Sequence, residues 1–184
     1  ALSSAASDVY KRQQRNVALV SQEFSLFPNM TVFENVLFAL KKQRGTYDEK
    51  CAVVWEILRK TGLEDTQNAF PKELSYGQRQ KTAIARALVR RPKIMLFDEP
   101  LSNIDPSLRR EIRGYIRSVT SAMGCTCIYV THDMADITAL ADIVYVIAGK
   151  KVVFCGNVTE FLACGDSAVT AVRQSAKGGF GNED

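Results

Sequence analysis

The chain has one histidine in 184 residues, and that scarcity excludes a good deal. Its five cysteines form neither a C-x-x-C pair nor any zinc-type spacing, so a His/Cys metal centre has no ligand set to draw on. The odd cysteine count argues against a disulfide framework. Cys125 and Cys127, two apart on an expected strand, face the same side, and the thiols are expected to be reduced and mostly buried, as in a cytosolic protein. No apolar run approaches the ~20 residues of a membrane span, and no stretch reads as a secretory signal. Charge of one sign is not gathered anywhere: 24 Lys+Arg stand among 20 Asp+Glu for a net +4, and no nucleic-acid partner is expected. There are no internal repeats. Hydrophobic residues at 46% and the chain length suit one soluble domain with a sizeable core.

What is present centres on two stretches. Leu74-Ser75-Tyr76-Gly77-Gln78 opens a helix: Ser75 is a good N-cap, and Gln78 three residues on completes a capping box. Gly77 lets a group approach the backbone, and free N–H groups at such a helix start can hold an anion. Alone, this pattern describes an ordinary capped helix. About twenty residues later, Ile94-Met95-Leu96-Phe97 follows the breaker Arg91-Pro92 and ends in Asp98-Glu99. An apolar run of this kind suits a strand buried on both faces of a parallel sheet. It places Asp98 and Glu99 at the strand's carboxyl end, where open α/β sheets bind ligands.

Around these stretches the chain alternates strands and helices. Residues 16–20 read as a strand ending at Ser21-Gln22. Thr31 and Glu34 form a capping box that starts a helix through about Lys42, and a second helix is expected from Asp48 to Lys60, with Gly62 past its end. The helix from Ser75 buries Ala83, Ile84, Ala87 and Leu88, and Arg79, Lys81, Arg86, Arg90 and Arg91 are expected on a solvated face. Asp105 is expected to cap a helix with Pro106 at its first position. Residues 127–131 are a further strand with His132-Asp133 at its end. Residues 143–147 and 151–154 form a hairpin around Ala148-Gly149-Lys150, and 159–163 a short helix. The tail from 166 to 184 is expected to be disordered.

Leu-Ser-Tyr-Gly-Gln, a helix, then an apolar strand ending in Asp-Glu resembles the ATP-binding subunit of ABC transporters, with Asp98-Glu99 as its Walker B end. Leu26-Phe27-Pro28-Asn29-Met30-Thr31, followed by Glu34-Asn35-Val36, is similar to importer ATPases of the maltose, polyamine and iron type. The likeness covers about residues 8–165. It implies an α/β fold: a P-loop NTPase-like ABC ATPase core with a mainly parallel sheet (about 92–165) plus a helical subdomain (about 23–91). It implies ATP and Mg²⁺ as ligands. By position, Glu99 matches the general base and His132 the switch histidine. Asp98 matches the Mg²⁺ holder, and Gln22 the residue that contacts the Mg²⁺ and the attacking water. Ser75, Gly77 and Gln78 match the signature that touches the opposite protomer's nucleotide, and Asp105 the D-loop. Partners implied are integral membrane permease subunits and a second ATP-binding domain, in a homodimer or a pair. The location implied is cytoplasmic, peripheral on the inner face of the cell membrane. The loop at Leu26, Phe27 and Met30 either tucks under its neighbouring helices or receives a permease helix.

One family element has no match. A P-loop needs Gly-x-x-x-x-Gly-Lys-Ser/Thr, and the first glycine here is Gly45. The expectation is a partial domain, with N-terminal strands and P-loop missing, that binds ATP weakly alone and is prone to aggregate through an exposed edge. Two other readings stay open: a non-transport ABC ATPase acting in translation or DNA repair, and a partner-binding fragment without catalysis.

Overall fold

Val17–Ser21 (β1) and Ile94–Asp98 (β2) lie side by side, parallel and in register, with Val17 opposite Ile94 and Ser21 opposite Asp98. Thr126–Val130 (β3) adds to the other edge of β2, parallel again, so that Asp98 stands between Ser21 and Val130. The computed structural model describes residues 16–21, 23–102 and 104–177. Gln22 lies outside them, directly after β1.

Between β1 and β2 run three helices, each started by a capping box in which the cap side chain and the N3 side chain satisfy each other's backbone N–H. They are α1 (Val32–Phe38, capped by Thr31), α2 (Tyr47–Thr61, capped by Thr46) and α3 (Tyr76–Leu88, capped by Ser75). α1 is shorter than its sequence pattern. After Phe38 the chain tightens into i→i+3 turns, Leu40 N–H to the Leu37 carbonyl and Lys41 N–H to that of Phe38. α2 ends at Gly62, whose φ of 62° gives the left-handed cap. Pro106–Met123 (α4) crosses from β2 to β3, and Gly124 closes it in the same way. Met134–Leu140 (α5) follows β3. Val144–Ala148 (β4) and Lys151–Gly156 (β5) form an antiparallel hairpin that turns through Gly149 and Lys150, both at positive φ. Val158–Ala163 (α6) and Ser167–Lys177 (α7) come last.

α7 corrects the expected disordered tail over 167–177. Val169 and Ala176 fall on its inner face and pack with Met134, Val144, Val146 and Phe161 in a small second core, which holds the helix down. The rest of that tail, 178–184, lies outside the described residues.

The main core joins Met95 and Phe97 of β2 to Ile84 and Leu88 of α3 and to Ile112 and Ile116 of α4. It covers one face of the sheet. The other face carries the row Leu19, Leu96 and Ile128, where Leu19 is 63% and Ile128 51% exposed. The expectation that β2 is buried on both faces is therefore corrected: the described helices supply one covering layer, and side chains alternate across a strand. The cysteines are corrected with it. All five are free, none is fully buried, and Cys127 and Cys155 are exposed.

Candidate functional site

Glu99 is the first residue past β2, and its φ is 43°. A non-glycine residue in that region costs on the order of 1–2 kcal/mol, and the surrounding bonds hold it there. Its N–H donates to the Val130 carbonyl at 3.0 Å, extending the β2–β3 ladder by one residue. Its carbonyl accepts from Ser102 twice, from the N–H at 3.3 Å and from Oγ at 3.0 Å. The carboxylate is left facing His132, with Oε1 3.2 Å from Nδ1. His132 is 72% exposed, so most of the imidazole remains open to a ligand. Glu99, Ser102, Arg109, Thr131, His132, Asp133 and Asp136 line one small cleft.

His132 stands on a firm base. Asp133 caps α5 by accepting from the Ala135 N–H at 2.7 Å, and its own N–H donates to Thr131 Oγ1 at 3.0 Å. Thr131 Oγ1 donates to Asp136 Oδ2 at 2.8 Å. From α4, Arg109 and Arg113 both reach Asp133 Oδ2 at 3.1 Å, and Arg113 Nε also donates to the buried Asp136. Two cations facing two carboxylates is the paired arrangement that buried charge requires. Burial, with Asp136 nearby, pushes the Tyr129 hydroxyl pKa up, so this phenol stays neutral.

Asp98 is exposed at the end of β2, beside Glu99. A single open carboxylate suits Mg²⁺, which keeps most of its waters and binds through one or two carboxylates plus substrate phosphates. Among the described residues no cluster of three or more His, Cys, Asp or Glu is placed to hold a metal by itself.

Ser75, Gly77 and Gln78 do not line the cleft. Ser75 Oγ accepts from the Gln78 N–H at 3.2 Å and Gln78 Oε1 from the Ser75 N–H at 2.9 Å. Gly77 is buried against α4, where a Cβ would meet Leu108 at 3.7 Å, an ordinary contact. A side chain as small as alanine's would fit against α4 here, so packing on that side does not call for a glycine. Asp105 occupies the N-cap position of α4, yet its side chain accepts no cap hydrogen bond. Pro106 sets the first-turn geometry instead, which corrects the expected side-chain cap.

The sequence alone gives several residues around the site no individual role. Gln80 is fully buried on α3, and its Nε2 donates to the Pro100 carbonyl at 3.1 Å, next to Glu99. Arg86, expected on a solvated face, is half-buried. Its guanidinium donates to the Ser25 carbonyl at 2.7 Å and the Phe24 carbonyl at 2.9 Å and lies over the Phe27 ring. Burial lowers its pKa. Phe24 itself packs edge to face on Tyr76, 4.8 Å between centroids, so the loop after Gln22 rests on the start of α3. Asn35, fully buried, accepts from the Phe27 N–H and donates to the carbonyls of Phe27, Met30 and Thr31. It fixes the loop that holds Leu26, Phe27 and Met30. The i, i+4 pair Arg109/Arg113 and the i, i+3 pair Asp133/Asp136 were the sequence signals for the network behind His132.

Comparison with known proteins gives the family. Residues 2–102 match the family model described as ABC transporter. An Fe(3+) ions import ATP-binding protein, FbpC of Vibrio cholerae serotype O1, is 41% identical over 155 residues, 83% of this chain and 44% of that protein. A sulfoquinovosyl glycerol transport ATP-binding protein, SmoE of Agrobacterium fabrum, is 39% identical over 148 residues, 80% of this chain and 41% of that protein. The solved structure of cbiO1 from Clostridium perfringens, part of the ABC transporter complex cbiONQ, superposes with a TM-score of 0.74 at 31% identity. It covers 80% of this chain and 59% of that one. The chain spans about two fifths of the length of the curated relatives it matches.

Proposed function

The chain belongs to the ABC transporter family, and from that premise we propose that it is the Walker B and signature portion of an importer's ATP-hydrolysing subunit. The observation that carries the reading is Glu99, held at positive φ past β2, with its carboxylate 3.2 Å from the only histidine. Glu99 is the general base that takes a proton from the attacking water, a role worth about 10²–10⁴ in rate. His132 contacts the γ-phosphate and stabilises the charge that develops there. Asp98 would hold Mg²⁺, partly through water, with Gln22 as a further contact, and the ion would supply charge neutralisation on the phosphates. The phosphate cradle itself needs a Walker A segment, which these 184 residues do not contain.

The separation of Ser75, Gly77 and Gln78 from the cleft supports a head-to-tail pair. In that pair they and Asp105 serve the nucleotide bound by the other domain. The loop pinned by Asn35 and Arg86, with Phe27 and Phe38 exposed and 4.6 Å apart, would face the permease from the helical part, 23–91. No helix among the described residues is long and apolar enough to cross a membrane, which fits a subunit held at the inner face through that partner.

The test joins a strand–Walker A–helix segment from a relative to the amino end of the chain and measures ATP-dependent dimerisation by sedimentation. A dimer that forms with ATP and Mg²⁺ and is lost in Ser75→Arg supports the reading. A monomer under all conditions contradicts it.

A further inference from the structure

The bonds around Glu99 and His132 close into a ring. Ser102 donates to the Glu99 carbonyl through its N–H and its Oγ. The Ser102 carbonyl accepts from Arg109 Nη2 at 3.3 Å, and Arg109 Nη1 donates to Asp133 Oδ2 at 3.1 Å. Asp133 adjoins His132, whose Nδ1 returns to Glu99 at 3.2 Å. The third arm of the same guanidinium, Nε, donates to the Ile104 carbonyl at 2.6 Å, one residue before Asp105.

We propose that Arg109 is the positioning residue that sets the spacing of Glu99 and His132 and makes it follow the backbone at Ser102 and Ile104. This rests on reading that pair as the hydrolytic centre. Three acceptors on two separate segments, the loop and the α5 cap, converge on one side chain. Only the planar fork of a guanidinium reaches all three, and a lysine ammonium at the same place does not. Arg109 is 26% exposed, so its bonds are partly shielded from water.

Packing α4 against α5 does not need Arg109. Arg113 already pairs with Asp133 and with buried Asp136, and Arg117 donates to the Ala139 carbonyl at 2.8 Å at the far end of α5. Arg109 differs from both in reaching the loop. A shift of Ile104 and Asp105, wherever it starts, passes through Arg109 to Asp133 and so to the imidazole.

The single histidine makes this measurable in the nucleotide-free chain, because its Cε1–H resonance needs no assignment. Five variants are compared by NMR: Glu99→Gln, Arg109→Lys, Ser102→Ala, Arg117→Gln, and Arg109→Lys combined with Glu99→Gln. Arg109→Lys keeps the charge, and Ser102→Ala removes the shorter of the two Ser102 bonds to the Glu99 carbonyl, leaving the 3.3 Å N–H bond, without touching an ion pair, so neither depends on tolerating a buried unpaired charge. The expected result is that both move the His132 resonance in the direction in which Glu99→Gln moves it. The double variant goes no further than Glu99→Gln alone, and Arg117→Gln leaves the resonance in place. An unmoved resonance in Arg109→Lys and Ser102→Ala overturns the proposal. So does an equal displacement by Arg117→Gln, or a fully additive double variant. This readout uses no ATP, so a failure of ATP turnover falls on the function proposed above and leaves the ring standing.

Discussion

Gln80 and Pro100 are joined by one buried hydrogen bond, Nε2 to carbonyl at 3.1 Å, and through it α3 touches the turn that carries Glu99. The side chain is fully buried and its Oε1 has no partner. Gln80→Ala leaves the Pro100 carbonyl without its donor and opens a void, and the expected loss of stability is about 2–3 kcal/mol. Urea unfolding checks it, and a change under 0.5 kcal/mol would mean that the bond contributes little.

Asn35 holds four backbone groups of the loop from Phe27 to Thr31. Asn35→Ala is expected to cost about 2 kcal/mol and to raise amide exchange at Phe27, whose N–H loses its acceptor. The Thr31 capping box stays, so α1 keeps its protection. Site-resolved hydrogen exchange separates the two effects. Equal loss across α1 would show that Asn35 supports the helix and not the loop.

Asp136 is 3% exposed and answers Arg113 and Thr131 together. Removing one partner of such a pair costs about 3–5 kcal/mol, because the other charge stays buried. Asp136→Ala should therefore be among the most damaging changes in the chain. A double variant with Arg113→Met removes the stranded cation but also takes one of two arginines from Asp133, which keeps Arg109, so it should recover part of the loss.

Cys127 is exposed as a residue, but partial burial of its thiol, with Cys125 beside it, pushes that thiol up to about 11. The thiolate is the nucleophile, so its alkylation should climb roughly tenfold per pH unit through pH 10, with no plateau near pH 9. Peptide mass spectrometry after timed iodoacetamide labelling reads this directly. A plateau by pH 9 would place the thiol in open water.

Short-range chemistry carried most of the fold into the sequence. The capping boxes at Thr31 and Ser75, the cap at Gly62 and the hairpin at Gly149-Lys150 are all local patterns, and all appear where the residues indicate. Long-range facts were not legible. Nothing local to Leu96 tells whether one or both faces of its strand are covered, and nothing local to Arg86 tells that Ser25 and Phe24 wait across the fold. Of the site, Glu99 and His132 were named from position, and the structure adds their contact. Ser102 lies in the stretch that resembles the D-loop and Arg109 in an i, i+4 arginine pair, but neither pattern tells that the two frame that contact.

The central claim is that Glu99, facing His132, activates the water that attacks ATP. It is tested most directly by the steady-state ATPase rate of the chain joined to a Walker A segment, with Glu99 and with Glu99→Gln. The account predicts that the Glu99→Gln form still dimerises with ATP while turnover falls by about 10²–10⁴. A Glu99→Gln rate within a few-fold of the parent would contradict it and assign the base to another group.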